Sequence, residues 1–134
     1  MRILIDTSAW IDFFRAEPSR ENALLKDCLN RREHIFIAGV IIQEILQGIR
    51  DDSQYRSVSD FLFVFPKIDA QFPDHVDAAN VYRGLRRRGL TIHSPVDCLI
   101  AVLAIRHRLF LLHKDRDFTA IARYHPLSIL TKLQ

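Results

Sequence analysis

ILIDTS, at residues 3–8, joins a short apolar run to one carboxylate and two hydroxyl residues. The run is too short for a helix, whereas Asp6, Thr7 and Ser8 are able to cap one, so we expect a buried parallel strand that leads directly into a helix. Ligands of open parallel sheets bind beyond the carboxyl ends of the strands, which makes Asp6 the first candidate for a functional residue. The alternative, that Asp6 only caps the following helix, is equally consistent with these residues.

The length and composition indicate one domain over residues 1–134. A chain of this size buries about two-thirds of its unfolded surface when it folds. Cys28 and Cys98 lie in apolar or helical segments, which favours reduced core thiols over a disulfide or a zinc site. No apolar run is long enough to span a membrane and no signal-peptide pattern is present, so we expect a cytoplasmic protein.

Strand-like and helix-like segments alternate along the whole chain. We expect strands at 3–5, 34–38, 67–69, 108–113 and 127–131, and helices near 8–15, 19–32, 40–49, 54–65, 73–88, 95–105 and 118–124. This order predicts an α/β fold, a three-layer α/β/α sandwich with a mainly parallel sheet of four to five strands.

Three further segments place acids near the carboxyl ends of strands. Glu44 falls on the shoulder of an apolar helix face, where a solvated glutamate is the more common explanation. Asp97 lies in the first turn of a helix that Ser94 is expected to cap, and a capping-box role is as plausible as a functional one. One of Asp115 and Asp117 is expected to cap the next short helix, which leaves the other free.

Together these acids form a candidate site made only of oxygen ligands. Parallel strands bring Asp6, Asp97 and Asp115 to one sheet edge, with Glu44 near the start of the helix after the second strand. Clustered carboxylates raise one another's pKa values by repulsion, and a divalent cation removes that cost. Mg²⁺ suits such ligands, Mn²⁺ is a possible substitute, and phosphodiester hydrolysis is the natural reaction class.

The same residues carry a resemblance to a known family. The strand that ends in Asp-Thr-Ser at residues 6–8, QEILQG at 43–48, DCLIA at 97–101 and KDRDF at 114–118 together resemble the PIN domain, and more narrowly the VapC ribonuclease toxins. The four motifs occur in the family's order over essentially the whole chain. The family often has Thr or Ser at the end of the last of these strands, where this chain has His113.

The resemblance implies an activity and a set of residue roles. It implies a Mg²⁺-dependent endoribonuclease, the toxin of a type II toxin–antitoxin system, that cleaves structured RNA of the tRNA or rRNA class. Asp6, Glu44, Asp97 and Asp115 would be the acids that hold magnesium, and Asp117 an accessory or capping acid. It also implies a cognate VapB-type antitoxin, a homodimer, and contact with DNA only through the antitoxin.

Rival interpretations remain open at this point. A receiver domain also binds magnesium, but it needs adjacent acids after its first strand, where this chain has Asp6 alone. A non-catalytic PIN-like module that binds RNA or protein, or another PIN nuclease that acts in RNA processing, would carry the same motifs. Only a comparison of the activity of the natural protein with that of Asp6→Asn separates these.

Arginines near the end of the helix at 73–88 offer a candidate RNA contact. Arg83 and Arg87 lie one turn apart on one face, where they could meet a phosphate backbone. The helix dipole explains arginines in a last turn equally well.

Two aromatic-rich helices are candidates for a partner surface. They carry Trp10, Phe13, Phe14, Phe61, Phe63 and Phe65. Core packing is the more common explanation of such residues, whereas the resemblance implies an apolar groove for the antitoxin.

Overall fold

The computed structural model describes all 134 residues and contains four strands and seven helices. In chain order the elements are β1 Arg2–Ile5, α1 Thr7–Phe14, α2 Arg20–Asn30, β2 His34–Ala38, α3 Gly39–Gln47, α4 Asp52–Phe63, β3 Lys67–Ile68, α5 Phe72–Arg87, α6 Pro95–Arg106, β4 Phe110–Leu112 and α7 Arg116–Ala122.

The sheet has the strand order β3-β2-β1-β4, and all its pairs are parallel. The chain moves from β1 to β2 to β3 and then returns to β4 on the other side of β1. Since parallel crossovers are right-handed, α1 to α4 cover one face of the sheet, and α5 and α6 cover the other. The predicted α/β sandwich is confirmed, and the carboxyl ends of all four strands lie at one edge.

The predicted strand at 127–131 is reduced to a single bridge between Leu111 and Ile129. Leu111 alone faces that side of β4: its N–H donates to Ser128 O and its carbonyl accepts from Leu130 N, both at 2.8 Å. The carbonyl of Leu112 instead accepts from Asp6 N at 2.9 Å. Alternate residues of a strand make their backbone hydrogen bonds on opposite sides. The three-residue β4 therefore has too few free groups on its outer side to pair with a full strand at 127–131.

The core includes the central strand and most of α6. Ile3, Leu4 and Ile5 are fully buried, and α6 is buried from Asp97 to Ala104 except at the half-buried Leu99, as an apolar helix pattern predicts. Cys28 and Cys98 are buried free thiols. No helix is long and apolar enough to cross a membrane.

Aromatic residues of α1, of α4 and of the segment just after α4 form one cluster. Their ring centroids lie 5.3 to 6.0 Å apart, in T-shaped, tilted and stacked pairs, among Trp10, Phe13, Phe14, Phe61 and Phe65. The expectation that Trp10 lines a partner groove is wrong, because this side chain is fully buried at the centre of the cluster. Phe63 is 51% exposed and stands outside it.

Candidate active site

Asp6 stands directly after β1 and caps α1. Its Oδ2 accepts hydrogen bonds from the Ser8 N–H at 3.0 Å and from the Ser8 hydroxyl. Only 3% of the residue is exposed. Burial raises the pKa of Asp6; the bonds from Ser8 oppose this rise, and the charge of Asp115 adds to it. The cap interpretation is therefore correct, but it occupies only one of the two carboxylate oxygens.

Glu44 reaches the same edge from α3. Its Oε1 accepts a hydrogen bond from the Thr7 hydroxyl at 2.8 Å, so the first residue of α1 holds this half-buried side chain. Burial raises the pKa of Glu44, and the charge of Asp6 raises it further, against the opposing effect of the Thr7 bond. Glu44 is thus not the freely solvated glutamate that its position on the helix wheel favoured.

Asp97 is the acid least compensated by the fold. It is 5% exposed, and its Oδ2 is buried without a hydrogen-bond partner. The capping-box alternative is wrong, because the Ser94 N–H donates to Asp117 Oδ2 at 3.1 Å and Ser94 makes no side-chain cap. Burial raises the pKa of Asp97 to about 9, helped by the neighbouring Asp117, Asp6 and Asp115.

Asp115 and Asp117 divide the two roles that the sequence left open. Asp115 caps α7, since its Oδ1 accepts from the Asp117 N–H at 2.9 Å. Asp117 is buried and accepts from the backbone N–H groups of His93 and Ser94 at 3.0 to 3.2 Å. Burial alone would raise the pKa of Asp117, but the His93 ring and these two N–H groups outweigh it and lower the pKa.

The structure brings the predicted acids together at one edge. One oxygen from each of Asp97, Asp115 and Asp117 lies within 4.8 Å of the others. Asp6 lies close enough to raise the pKa of Asp97 by its charge, and Glu44 in turn interacts with Asp6.

A divalent cation fits this donor set. The available ligand atoms are carboxylate oxygens, the type that Mg²⁺ and Mn²⁺ prefer, and one member of the group, Asp97, has a buried oxygen without a hydrogen bond. No lysine or arginine forms an ion pair with these acids. Lys114, which follows β4, instead binds Asp12 at 3.0 Å. Neutralisation of these acids therefore falls to a positive charge that is not a lysine or arginine of the chain.

Two hydroxyls and one imidazole organise the site, and the sequence did not assign them these contacts. The Thr7 hydroxyl holds Glu44, and the Ser8 hydroxyl joins Asp6 to the N–H of Lys114 at 3.0 Å. In the sequence, the only indication of these two contacts was that two hydroxyl residues directly follow Asp6, a pattern that helix capping alone explains. His93, which binds Asp117, carried no sequence signal.

His113 replaces the hydroxyl residue that the family often has at the end of this strand. Its Nδ1 accepts a hydrogen bond from the Asp115 N–H at 3.1 Å, and its ring packs on Phe118 with centroids 5.1 Å apart. Burial lowers the pKa of His113, which opposes the effect of Asp6 and Asp115 and favours the neutral ring. The neutral imidazole thereby acts as the acceptor for the Asp115 amide.

The arginines proposed as RNA contacts lie on α5, outside the acid cluster. Arg83 and Arg87 are exposed, and Arg83 donates to Asn80 Oδ1 at 3.2 Å. Both the RNA interpretation and the dipole interpretation fit this placement.

An open groove lies between α1, α3 and α4. Its volume is about 330 Å³, and Glu44 is among its lining residues. Of the six aromatic residues expected at a partner surface, Phe14 alone lines this groove, beside apolar residues that include Ile11, Ile45 and Val58.

Comparison with known proteins identifies the family. Residues 3–124 match the PIN domain model, and the chain therefore belongs to the PIN domain family. The VapC ribonuclease Mb1587 of Mycobacterium bovis is 40% identical over 125 residues, which cover 90% of this chain and 92% of the relative. The resemblance to the PIN domain and to the VapC ribonucleases is thus confirmed.

Solved structures share the fold. The crystal structure of VapBC2 from Rickettsia felis, bound to a DNA fragment from their promoter, aligns with a TM-score of 0.76 at 21% identity over 97% of this chain and 98% of that chain. A toxin-antitoxin complex from Klebsiella pneumoniae aligns with a TM-score of 0.64 at 26% identity, over 95% of this chain and 99% of that chain.

Proposed function

We propose that this protein is a metal-dependent endoribonuclease and the toxin of a toxin–antitoxin pair. The observation that carries the proposal is the buried Asp97, whose Oδ2 has no hydrogen-bond partner and which belongs to a cluster with Asp115 and Asp117. A fold retains such an uncompensated group where a charge from outside completes it. The ribonuclease name of the Mycobacterium bovis relative supports RNA as the substrate.

The acids divide into ligands and supports. Asp97 and Asp115 each have an oxygen that no backbone group occupies, and we assign these two to Mg²⁺, with Mn²⁺ as a substitute. Asp6 and Glu44 complete the set from the other side, each anchored through one oxygen. Asp117 contributes an oxygen within reach, but its main work is to hold the chain before α6.

A divalent ion bound here supplies an activated water and positive charge for the phosphate. The protein's own residues prepare for that chemistry. The Thr7 and Ser8 hydroxyls fix Glu44 and Asp6, so the carboxylates need no rearrangement when substrate binds. A positive charge beside Asp97 favours its carboxylate form, which the apo site disfavours.

The test compares RNA cleavage with and without metal. We expect EDTA to abolish cleavage and Mg²⁺ or Mn²⁺ to restore it. Asp97→Asn and Asp6→Asn should lower kcat by more than about 100-fold, since even supporting residues of metal sites cost 10- to 100-fold. Exposed Asp27→Asn, on α2, is the control and should keep full activity.

Cleavage by either variant at the natural rate, with a native circular dichroism spectrum, would contradict the metal mechanism. A natural protein that binds RNA without cleaving it would instead support a non-catalytic PIN module. We further propose that the substrate is a structured RNA of the tRNA or rRNA class. Incubating purified tRNA and rRNA with the protein and mapping the ends of the cleavage products tests this.

The partner that fits the groove is a VapB-type antitoxin. Glu44 lines this groove together with apolar residues, so a segment bound there would contact one of the acids of the site. Related complexes include a toxin-antitoxin pair and a DNA-bound VapBC, and contact of this chain with DNA would run through the antitoxin. We also propose a homodimer of the toxin, which light scattering of the free protein tests.

Gly48 allows a direct test of the groove. A Cβ there would meet Ile45 O at 3.6 Å and Glu44 O at 4.0 Å, which are ordinary contacts. Gly48→Trp should therefore fill the groove, leave the fold intact and abolish copurification with the antitoxin encoded beside it. Undiminished copurification would place the antitoxin elsewhere.

A further inference from the structure

The His93 imidazole is exposed to solvent and yet fixed in position. Its side chain is 80% exposed, while Nδ1 lies 3.0 Å from Oδ1 of the buried Asp117. The backbone N–H of His93 donates to both oxygens of the same carboxylate, at 3.2 and 3.0 Å. Exposed side chains normally keep their rotamer freedom, but this ring is held at both its main chain and its nitrogen.

The ring stands at the rim of the acid site. Asp117, which holds it, belongs to the group of three carboxylates within 4.8 Å of one another. His93 directly precedes Ser94, the N-cap of α6, and Asp97 follows three residues after that cap. Arg116, exposed in the first turn of α7, adds a positive charge between Asp115 and Asp117 in sequence.

Support of Asp117 does not by itself require an aromatic ring. The backbone N–H groups of His93 and Ser94 already give this carboxylate three short contacts. A small polar side chain at position 93 would serve as a further donor and leave no aromatic surface in water. The contact with Asp117 thus accounts for the Nδ1 atom but not for the rest of the side chain, which is 80% exposed.

We propose that His93 is a substrate-contacting residue, whose fixed ring stacks on an unpaired base of the RNA beside the cleaved phosphate. Unpaired bases of RNA stack on aromatic side chains, including histidine. A ring that is already immobilised orders the strand at little further entropic cost. The inference rests on the proposed ribonuclease function and specifies which part of the RNA this residue contacts.

The test separates stacking from support of Asp117. His93→Phe keeps a ring and loses Nδ1, whereas His93→Leu loses both, so the difference between them isolates the ring. The matched control is His34→Leu, an exposed histidine at the amino end of β2 and hence at the opposite sheet edge. Affinity for a short fluorescein-labelled oligoadenylate is measured by anisotropy in an Asp97→Asn background, which prevents cleavage.

We expect His93→Leu to weaken oligoadenylate binding about tenfold. His93→Phe should weaken it less, because its ring still stacks but is no longer held by Asp117, and His34→Leu should stay near the parent value. In the active protein, His93→Leu should raise KM more than it lowers kcat. The ring protons of His93 should shift upfield in NMR spectra when oligoadenylate is added, and those of His34 should not move.

Equal losses in His93→Phe and His93→Leu would overturn the proposal, because the effect would then act through Asp117. Unchanged affinity in both, or unshifted His93 ring protons, would also overturn it. These outcomes differ from failure of the proposed function, in which the natural protein cleaves no RNA in Mg²⁺ or Mn²⁺.

Discussion

Asp74 and Asp97 are buried carboxylates on neighbouring helices, and the fold treats them in opposite ways. Asp74, in α5, is 1% exposed. Its Oδ1 lies 2.7 Å from Nε of Arg106, and its Oδ2 accepts a hydrogen bond from Nη2 of the same side chain at 2.8 Å. Burial would raise the pKa of Asp74, but the Gln71 N–H and Arg106 outweigh it and lower the pKa. Asp97, at the other end of the helix that carries Arg106, has no such cation, and burial raises its pKa to about 9.

The difference separates a buried acid that is neutralised within the chain from one that, as we propose, is completed by a ligand. Asp74 is neutralised within the chain and joins α5 to α6. Asp97 carries a cost that the fold leaves in place, which is the pattern expected of a functional site. Four measurements test this contrast between Asp74 and Asp97 and the site around Asp97.

The largest expected effect is a pH-dependent loss of stability in the metal-free protein. Folded Asp97 keeps its proton up to about pH 9, whereas the unfolded chain releases it near 3.8, so the free energy of unfolding falls as the pH rises between these values. The slope from this one proton is at most about 1.4 kcal/mol per pH unit. Urea unfolding at pH 5 to 8 in EDTA measures it, and Mg²⁺ or Asp97→Asn should flatten it.

An equal slope in Asp97→Asn would assign the pH dependence to another group. Asp74 acts in the opposite sense, because its lowered pKa stabilises the fold above its ordinary value of 3.8, and that stabilisation is lost as the pH falls through the folded pKa. Its contribution is therefore constant over the pH range of the measurement.

Removal of the Asp74 charge should cost stability where removal of the Asp97 charge does not. Asp74→Asn leaves Arg106 without its partner and should lower the free energy of unfolding by about 1.5–3 kcal/mol, the usual worth of hydrogen bonds to charged groups. Asp97→Asn should be neutral or stabilising in EDTA. Chemical unfolding at neutral pH compares the two, and a larger loss in Asp97→Asn would invert the assignment of roles.

The Thr7 hydroxyl should matter for activity more than for stability. Thr7→Val keeps the shape of the side chain but removes the 2.8 Å bond to Glu44, and we expect kcat to fall about tenfold, the low end for supporting residues of metal sites. Thr7→Ser restores the hydroxyl and is the control. Full activity in Thr7→Val would show that Glu44 needs no support from this hydroxyl. Among the acids themselves, Glu44→Gln and Asp115→Asn should each lower the activity.

The smallest effect is expected at the exposed arginines of α5. Arg83→Gln with Arg87→Gln should weaken RNA binding a few-fold and lower its salt slope by about one to two, the change for one or two lost phosphate contacts. Arg31→Gln with Arg32→Gln, at the end of α2, is the matched control. An unchanged salt slope in the α5 variant would leave these arginines to the helix dipole.

Local sequence patterns were sufficient for most of the fold. The apolar run before Asp6, the exact span of β2 and the Ser94-Pro95 start of α6 are each determined by neighbours within a few residues. The predicted strand at 127–131 did not form, for a reason that local patterns do not contain. A strand there needs several free backbone N–H and C=O groups on the outer side of β4, and only those of Leu111 pair with it.

That Asp6, Glu44, Asp97 and Asp115 lie at one sheet edge could be predicted from the sequence, because alternating strands and helices favour a parallel sheet whose strand ends coincide. The tertiary structure alone decided that Asp97 has no partner, that Thr7 holds Glu44 and that Asp117 holds the His93 ring. These outcomes depend on distances between side chains 24 to 37 positions apart in the chain, for which local periodicity carries no information.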